Sequence, residues 1–247
     1  MTTYGRMRDE LVEDGRLRVA INLGNAALAA RGAEGGGLEG ITVALARRLA
    51  AALGCEPDFT VYEGAGKVVD AAGEDAWRIA FCAIDPERRE HVAYSSPYVL
   101  IEAGALVRAG SPLRHVDELD RPGMRLLVAR NSAYDLYLTS HAKAMDLVRE
   151  ADPGASFRAF KAGDPQADAV AGVVQSLRKA FGDDGAYRYL SGTITAIGQA
   201  MALPKRFEHL APDLTRFVEE AKADGFVRRE LDRAGKTSLT VAPAETG

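Results

Sequence analysis

The chain has 247 residues, a formal net charge of −4 and an apolar share of 47%. That length carries one large domain or two modest ones, each with a core of its own, and with no basic stripe in view a general nucleic-acid binder is not expected. Two cysteines, Cys55 and Cys82, are too few for a disulfide framework, and the scattered His91, His115, His141 and His209 lack metal-ligand spacing, so neither a metal nor any other cofactor is expected.

Taken in order, short β-type runs alternate with helical ones, the pattern of an α/β protein. Residues 17–23, LRVAINL, read as a strand. After the glycine-rich 31–40, which lacks both phosphate-loop orders and reads as a hairpin-like surface loop, Ile41, Leu45, Leu49 and Leu53 form an i, i+4 stripe. That spacing predicts a helix closed by Gly54. Strands follow at 57–62 and 77–81, with a short helix at AGKVVDAA between them.

A second series starts after Pro112. It reads as a short helix at VDELD, a strand over 124–129, and a helix through SAYDLYLTSHAKAM with Ser132 as its N-cap. SFRAF and DAVAGVV read as strands, QSLRKAFG as a helix and YRYL as a strand. The chain closes with TAIGQAMAL, two helices over APDLTRFVEEAKADG and FVRRELDRAG, and an extended, loose tail. No apolar run approaches the roughly 20 residues of a membrane span. Charges occupy the N-terminal stretch where a signal peptide needs an apolar segment. A complete chain of this sequence is therefore expected in the cytoplasm, and one from which a leader has been removed in the periplasm.

The strand WRIAF leads into Phe81-Cys82-Ala83-Ile84-Asp85-Pro86-Glu87-Arg88-Arg89, then Val92-Ala93-Tyr94-Ser95-Ser96-Pro97-Tyr98. Together with LRVAI, ITVALARRLAAALG, MRLLVARNS and FVEEAKADGFVRREL in that order, this succession resembles the amino-acid-type extracellular solute-binding proteins of bacterial ABC importers, over nearly the whole chain. The resemblance implies a periplasmic-binding-protein-like type II fold: two α/β lobes joined by crossing strands near 101–107 and 193–199, closing like a hinge on a ligand. Lobe 1 would combine 1–104 with 195–247, and lobe 2 would hold 105–194.

From the residues alone, Arg88 is as well read as a solvated arginine, or one paired with Asp85, Glu87 or Glu90, as a ligand contact. The resemblance assigns it to the ligand's carboxylate, which a guanidinium fork fits through two parallel bonds, with Ala83 beside it. The same resemblance places Asn131 and Ser132 at a second anion contact at a helix start, Asn131 standing where glycine is common. An acidic residue that would hold an ammonium is replaced by Val173, and Ala44 stands where the first helix commonly has Asp. Glu102 and Asp85 are the remaining candidate carboxylates. Asn22, Asn25 and Gln175 are neutral hydrogen-bonding candidates, each equally a loop-capping or exposed amide, and Tyr134 either covers the ligand or joins the core.

The function expected is binding of a small carboxylate ligand, an amino acid or related organic acid, with an ABC permease as the membrane partner the resemblance implies. The alternatives are a cytoplasmic enzyme on the same scaffold, dehydratase-like and acting on a small carboxylic acid, and an intracellular ligand sensor. No G-x-S-x-G motif or triad spacing supports catalysis.

Overall fold

A computed structural model describes residues 4–25, 27–32, 36–130, 132–163 and 167–245. The chain divides into two units, Met1–Leu100 with Gly198–Gly247, and Ile101–Ile197. Two strands run through the divisions: Val92–Arg108 (β7) carries the chain out of the first unit, and Thr195–Pro204 (β12) brings it back.

The first unit opens with Gly5–Leu11 (α1), Val12–Glu13 (β1) and Arg16–Asn22 (β2). A short antiparallel pair, Ala30–Arg31 (β3) and Leu38–Glu39 (β4), forms the expected hairpin, whose residues 33–35 lie outside the described ones. Ile41–Leu53 (α2), Glu56–Tyr62 (β5), Ala65–Asp70 (α3) and Ile79–Ala83 (β6) follow. β2 is parallel to both β5 and β6, and β12 runs antiparallel to β6.

The apolar stripe explains the packing. Ile41, Leu45, Leu49 and Leu53 are all buried, and Gly54 ends α2 in the left-handed conformation at φ 65°, as its sequence position predicts. On the α3 side of the sheet Trp77 is fully buried and donates its Nε1–H to the Val68 carbonyl at 3.0 Å, so a large apolar body packs without stranding its polar atom.

Gly40 makes the tight entry to α2. Its φ is 113°, and an added Cβ would stand 2.3 Å from the Leu28 carbonyl oxygen. Gly40→Ala is therefore expected to lower stability by about 2 kcal/mol or more, read from urea unfolding; a cost near zero would mean that the turn relaxes freely.

In the second unit, Arg125–Ala129 (β8) is parallel to Asp146–Glu150 (β9) and to Ala169–Val173 (β10). β10 pairs antiparallel with residues 103–107 of β7, whose other side takes Tyr187–Tyr189 (β11). Helices Ala133–His141 (α4), Pro153–Lys161 (α5) and Val174–Phe181 (α6) cover this sheet. α5 and α6 bury Phe157, Phe160 and Phe181, which meet edge-on at ring separations of 5.6 and 6.3 Å, and Arg108 lies over Phe160 at 4.4 Å.

Three sequence expectations are corrected. Residues 156–160 are helical, not a strand: Asp152 accepts from the Ala155 amide at 2.8 Å and Pro153 fills the first turn, so the cap sets the conformation and puts Phe157 and Phe160 on one face. The helix expected through Met145 stops at His141, and β9 follows it.

The tail is held rather than loose. After Ala211–Ala223 (α7) and Phe226–Arg233 (α8), Thr240–Val241 (β13) pairs with Leu100 and Val99, and Leu239 and Ala242 are buried. The Lys222 ammonium, on a side chain only 6% exposed, binds the Glu219 carboxylate at 2.7 Å, the Pro243 carbonyl at 2.8 Å and the Pro97 carbonyl at 3.2 Å.

Candidate functional site

In a parallel sheet, ligand-binding loops leave the carboxyl ends of the strands. In the first unit those ends are Asn22 of β2, Tyr62 of β5 and Ala83 of β6, with Gln199 of the antiparallel β12 in register beside Ala83. The backbone of Ala83 is committed to that ladder, and the Ile84 amide donates to the Gly198 carbonyl at 2.9 Å. Ala83 thus offers a methyl wall, with no side-chain donor.

Beyond it the chain turns at Asp85-Pro86. The Asp85 Oδ1 accepts from the amides of Glu87 at 2.9 Å and Arg88 at 3.4 Å, which winds Glu87–Glu90 into a single 3₁₀ turn. This turn presents Arg88 half-buried. Among the described residues its guanidinium has no hydrogen bond and no ion pair; neither Asp85, Glu87 nor Glu90 neutralises it.

Arg88 lies close enough to Cys82 and Tyr94 for its charge to favour their ionised forms, but burial wins. The Cys82 thiol is pushed up to about 11 and the Tyr94 phenol is raised well above its ordinary value. Both stay neutral at physiological pH, so the positive charge of Arg88 is not cancelled by either. The Tyr94 hydroxyl lies beside the Cys82 thiol without a hydrogen bond of acceptable geometry. Cys82 is a free, buried thiol.

The two loop asparagines use their side-chain oxygens locally. Asn22 Oδ1 accepts from the Gly24 amide at 2.9 Å and Asn25 Oδ1 from the Ala27 amide at 3.3 Å. Both side chains are half-buried. They shape the loop after β2; the side-chain N–H groups are what each has left to offer.

The serines of the Tyr-Ser-Ser-Pro-Tyr run are structural. Ser95 Oγ donates to the Ser96 carbonyl at 2.6 Å and accepts from the Met201 amide at 3.1 Å, while the Ser96 amide donates to Thr215 Oγ1 at 3.0 Å. They tie β7 to β12 and α7.

In the second unit Ser132 caps α4, its Oγ accepting from the Asp135 amide at 3.1 Å, while its own amide donates to the Ala129 carbonyl. The amides of Ala133 and Tyr134 open the helix, where no intrahelical acceptor exists. Asn131 lies outside the described residues. Tyr134 is 2% exposed within the core around Val128, Leu138 and Ala171, the second of its two sequence readings. Gln175 is half-buried in the first turn of α6, and Glu102 of β7 is a half-buried carboxylate with no hydrogen bond or ion pair among the described residues.

Sequence reasoning passed over Gln199 as a site candidate and saw no role for Asp135. Asp135 is buried and paired through its carboxylate to Arg149 Nε at 2.9 Å. Among the described residues no cluster of metal-ligating side chains occurs, and no helix is long and apolar enough to cross a membrane.

The family model for bacterial extracellular solute-binding proteins, family 3, matches residues 17–234. The chain belongs to that family. Solute binding is accordingly its function. No curated protein matches this solute-binding protein. Among solved structures, a lysine-complexed binding component assigned to an ABC transporter of Wolinella succinogenes is 20% identical, covers 90% of this chain and 96% of its own, and superposes with a TM-score of 0.69. The cysteine-binding protein of Campylobacter jejuni is 19% identical, with coverage of 96% and 99% and a TM-score of 0.63. A mutant of ArgBP from T. maritima is 21% identical, with coverage of 92% and 97% and a TM-score of 0.62. At these identities the likeness shows the fold, the type II solute-binding architecture.

Proposed function

We propose that this solute-binding protein binds a small amino acid or closely related organic acid, with Arg88 receiving the carboxylate, and delivers it to an ABC permease. The observation that carries the reading is Arg88 itself: a half-buried guanidinium, unpaired among the described residues, at the carboxyl edge of parallel strands. A buried or half-buried charge is ordinarily matched, and a carboxylate is the partner whose two oxygens fit the fork. The lysine and cysteine named for two of the structural neighbours are carboxylates of this kind.

The test is a thermal-shift panel of L-amino acids and the 2-oxo acids bearing the same side chains. At 100 times its dissociation constant a ligand adds about 2.7 kcal/mol of stability. At least one carboxylate is expected to raise the melting temperature. A flat panel contradicts the proposal.

A further inference from the structure

Among the described residues several buried polar side chains have found partners, while the Ser96 Oγ and the Tyr94, Tyr98 and Tyr134 hydroxyls are sealed without a hydrogen bond. Thr42 donates to the Leu28 carbonyl, Ser95 bridges two strands, Ser156 bonds the Asp152 carbonyl, and Asp135 is ion-paired. Gln199 is 4% exposed, yet its side-chain amide makes no hydrogen bond among the described residues. It is not among the polar atoms sealed from solvent, so the tip of the amide reaches the surface while the stem is enclosed.

The position of this residue gives the amide a use. Gln199 is in register with Ala83, at the end of β6 where the turn bearing Arg88 begins, and the neighbouring Gly198 carbonyl takes the Ile84 amide. An amide offers two donors and one acceptor. Enclosing the stem limits how well water can serve the amide, and a ligand group that meets it supplies the missing bond. A site that holds an unpaired polar group of this kind discriminates against ligands unable to bond it, because they leave it unpaired.

We propose that Gln199 is a specificity-determining residue: its amide hydrogen-bonds a neutral polar group, a hydroxyl or carboxamide, on the side chain of the ligand. This rests on the assignment of the carboxylate to Arg88. It narrows the ligand class to carboxylates with a polar uncharged side chain and away from those with purely aliphatic ones.

Near-isosteric ligand pairs test it: L-threonine against L-valine, and L-glutamine against L-methionine, titrated calorimetrically into the native chain and into Gln199→Met. Methionine keeps the length and unbranched shape of glutamine without its polar amide. In the native chain the polar member of at least one pair is expected to bind about tenfold tighter or better. In Gln199→Met the two members should fall within about twofold, with the melting temperature of the ligand-free protein unchanged or raised.

A native chain without preference, a preference that survives in the variant, or no binding by any of the four overturns the proposal. The carboxylate assignment is tested separately: it falls if Arg88→Ala retains binding, an outcome that leaves the Gln199 comparison readable.

Discussion

Replacing Arg88 by alanine is expected to abolish measurable carboxylate binding while leaving the ligand-free protein as stable as before. The two halves of that result have different physical origins. A bidentate carboxylate contact contributes two charge-assisted bonds of about 1.5–3 kcal/mol each, so the loss is on the order of 100-fold in affinity or more. The unliganded chain loses nothing comparable, because the guanidinium has no hydrogen bond or ion pair among the described residues to forfeit. Arg88→Lys keeps the charge but not the planar fork and should fall between the two. Titration calorimetry with the thermal-shift hit, and urea unfolding without it, read the two halves independently. An alanine variant that still binds within about threefold of native contradicts the role.

The largest expected effect on stability lies in the second unit, at Arg149→Met. The Asp135 carboxylate is 4% exposed and bonds Arg149 Nε at 2.9 Å, while Arg149 Nη2 also donates to Thr139 Oγ1 at 2.8 Å. Removing the cation takes the ion-pair partner from a buried carboxylate, which costs about 3–5 kcal/mol where both partners are enclosed. Arg149 is a third exposed, so the lower end, about 3 kcal/mol, is expected. The double variant Asp135→Asn with Arg149→Met removes the buried charge together with its counter-ion and should recover most of that loss. Urea unfolding at pH 7 measures both; a single variant costing less than about 1 kcal/mol would show that water reaches Asp135 and screens it.

Much of the first unit was legible because its signals are local. The i, i+4 stripe of α2 and the left-handed Gly54 sit within one window of sequence, and both are found as expected. SFRAF was misread because its apolar positions satisfy a strand period as well as a helix; the deciding signal, Asp152-Pro153, lay just upstream. The tail defeated local reading for another reason: Leu239 and Ala242 are buried by residues far away in the chain, near Val99 and Leu100, and nothing in KTSLTVAPAETG announces that pairing.

The site divides along the same line. Arg88 was visible through its motif, and Ser132 through its capping position. The local hydrogen bonds of Asn22 and Asn25 depend on how the loop after β2 folds back on itself, and the unpaired amide of Gln199 exists only once β12 is laid against β6. Within the Ser-Ser-Pro-Tyr run the two serines join strands and a helix, bonds that depend on Met201 and Thr215 far along the chain and that no short window of sequence announces.

A crystal structure of the chain with the strongest thermal-shift hit tests the central assignment most directly. The ligand's carboxylate oxygens should lie about 2.7–3.2 Å from the Arg88 guanidinium nitrogens, with both oxygens engaged. A ligand held with its carboxylate on other residues, and Arg88 left without it, would contradict the account.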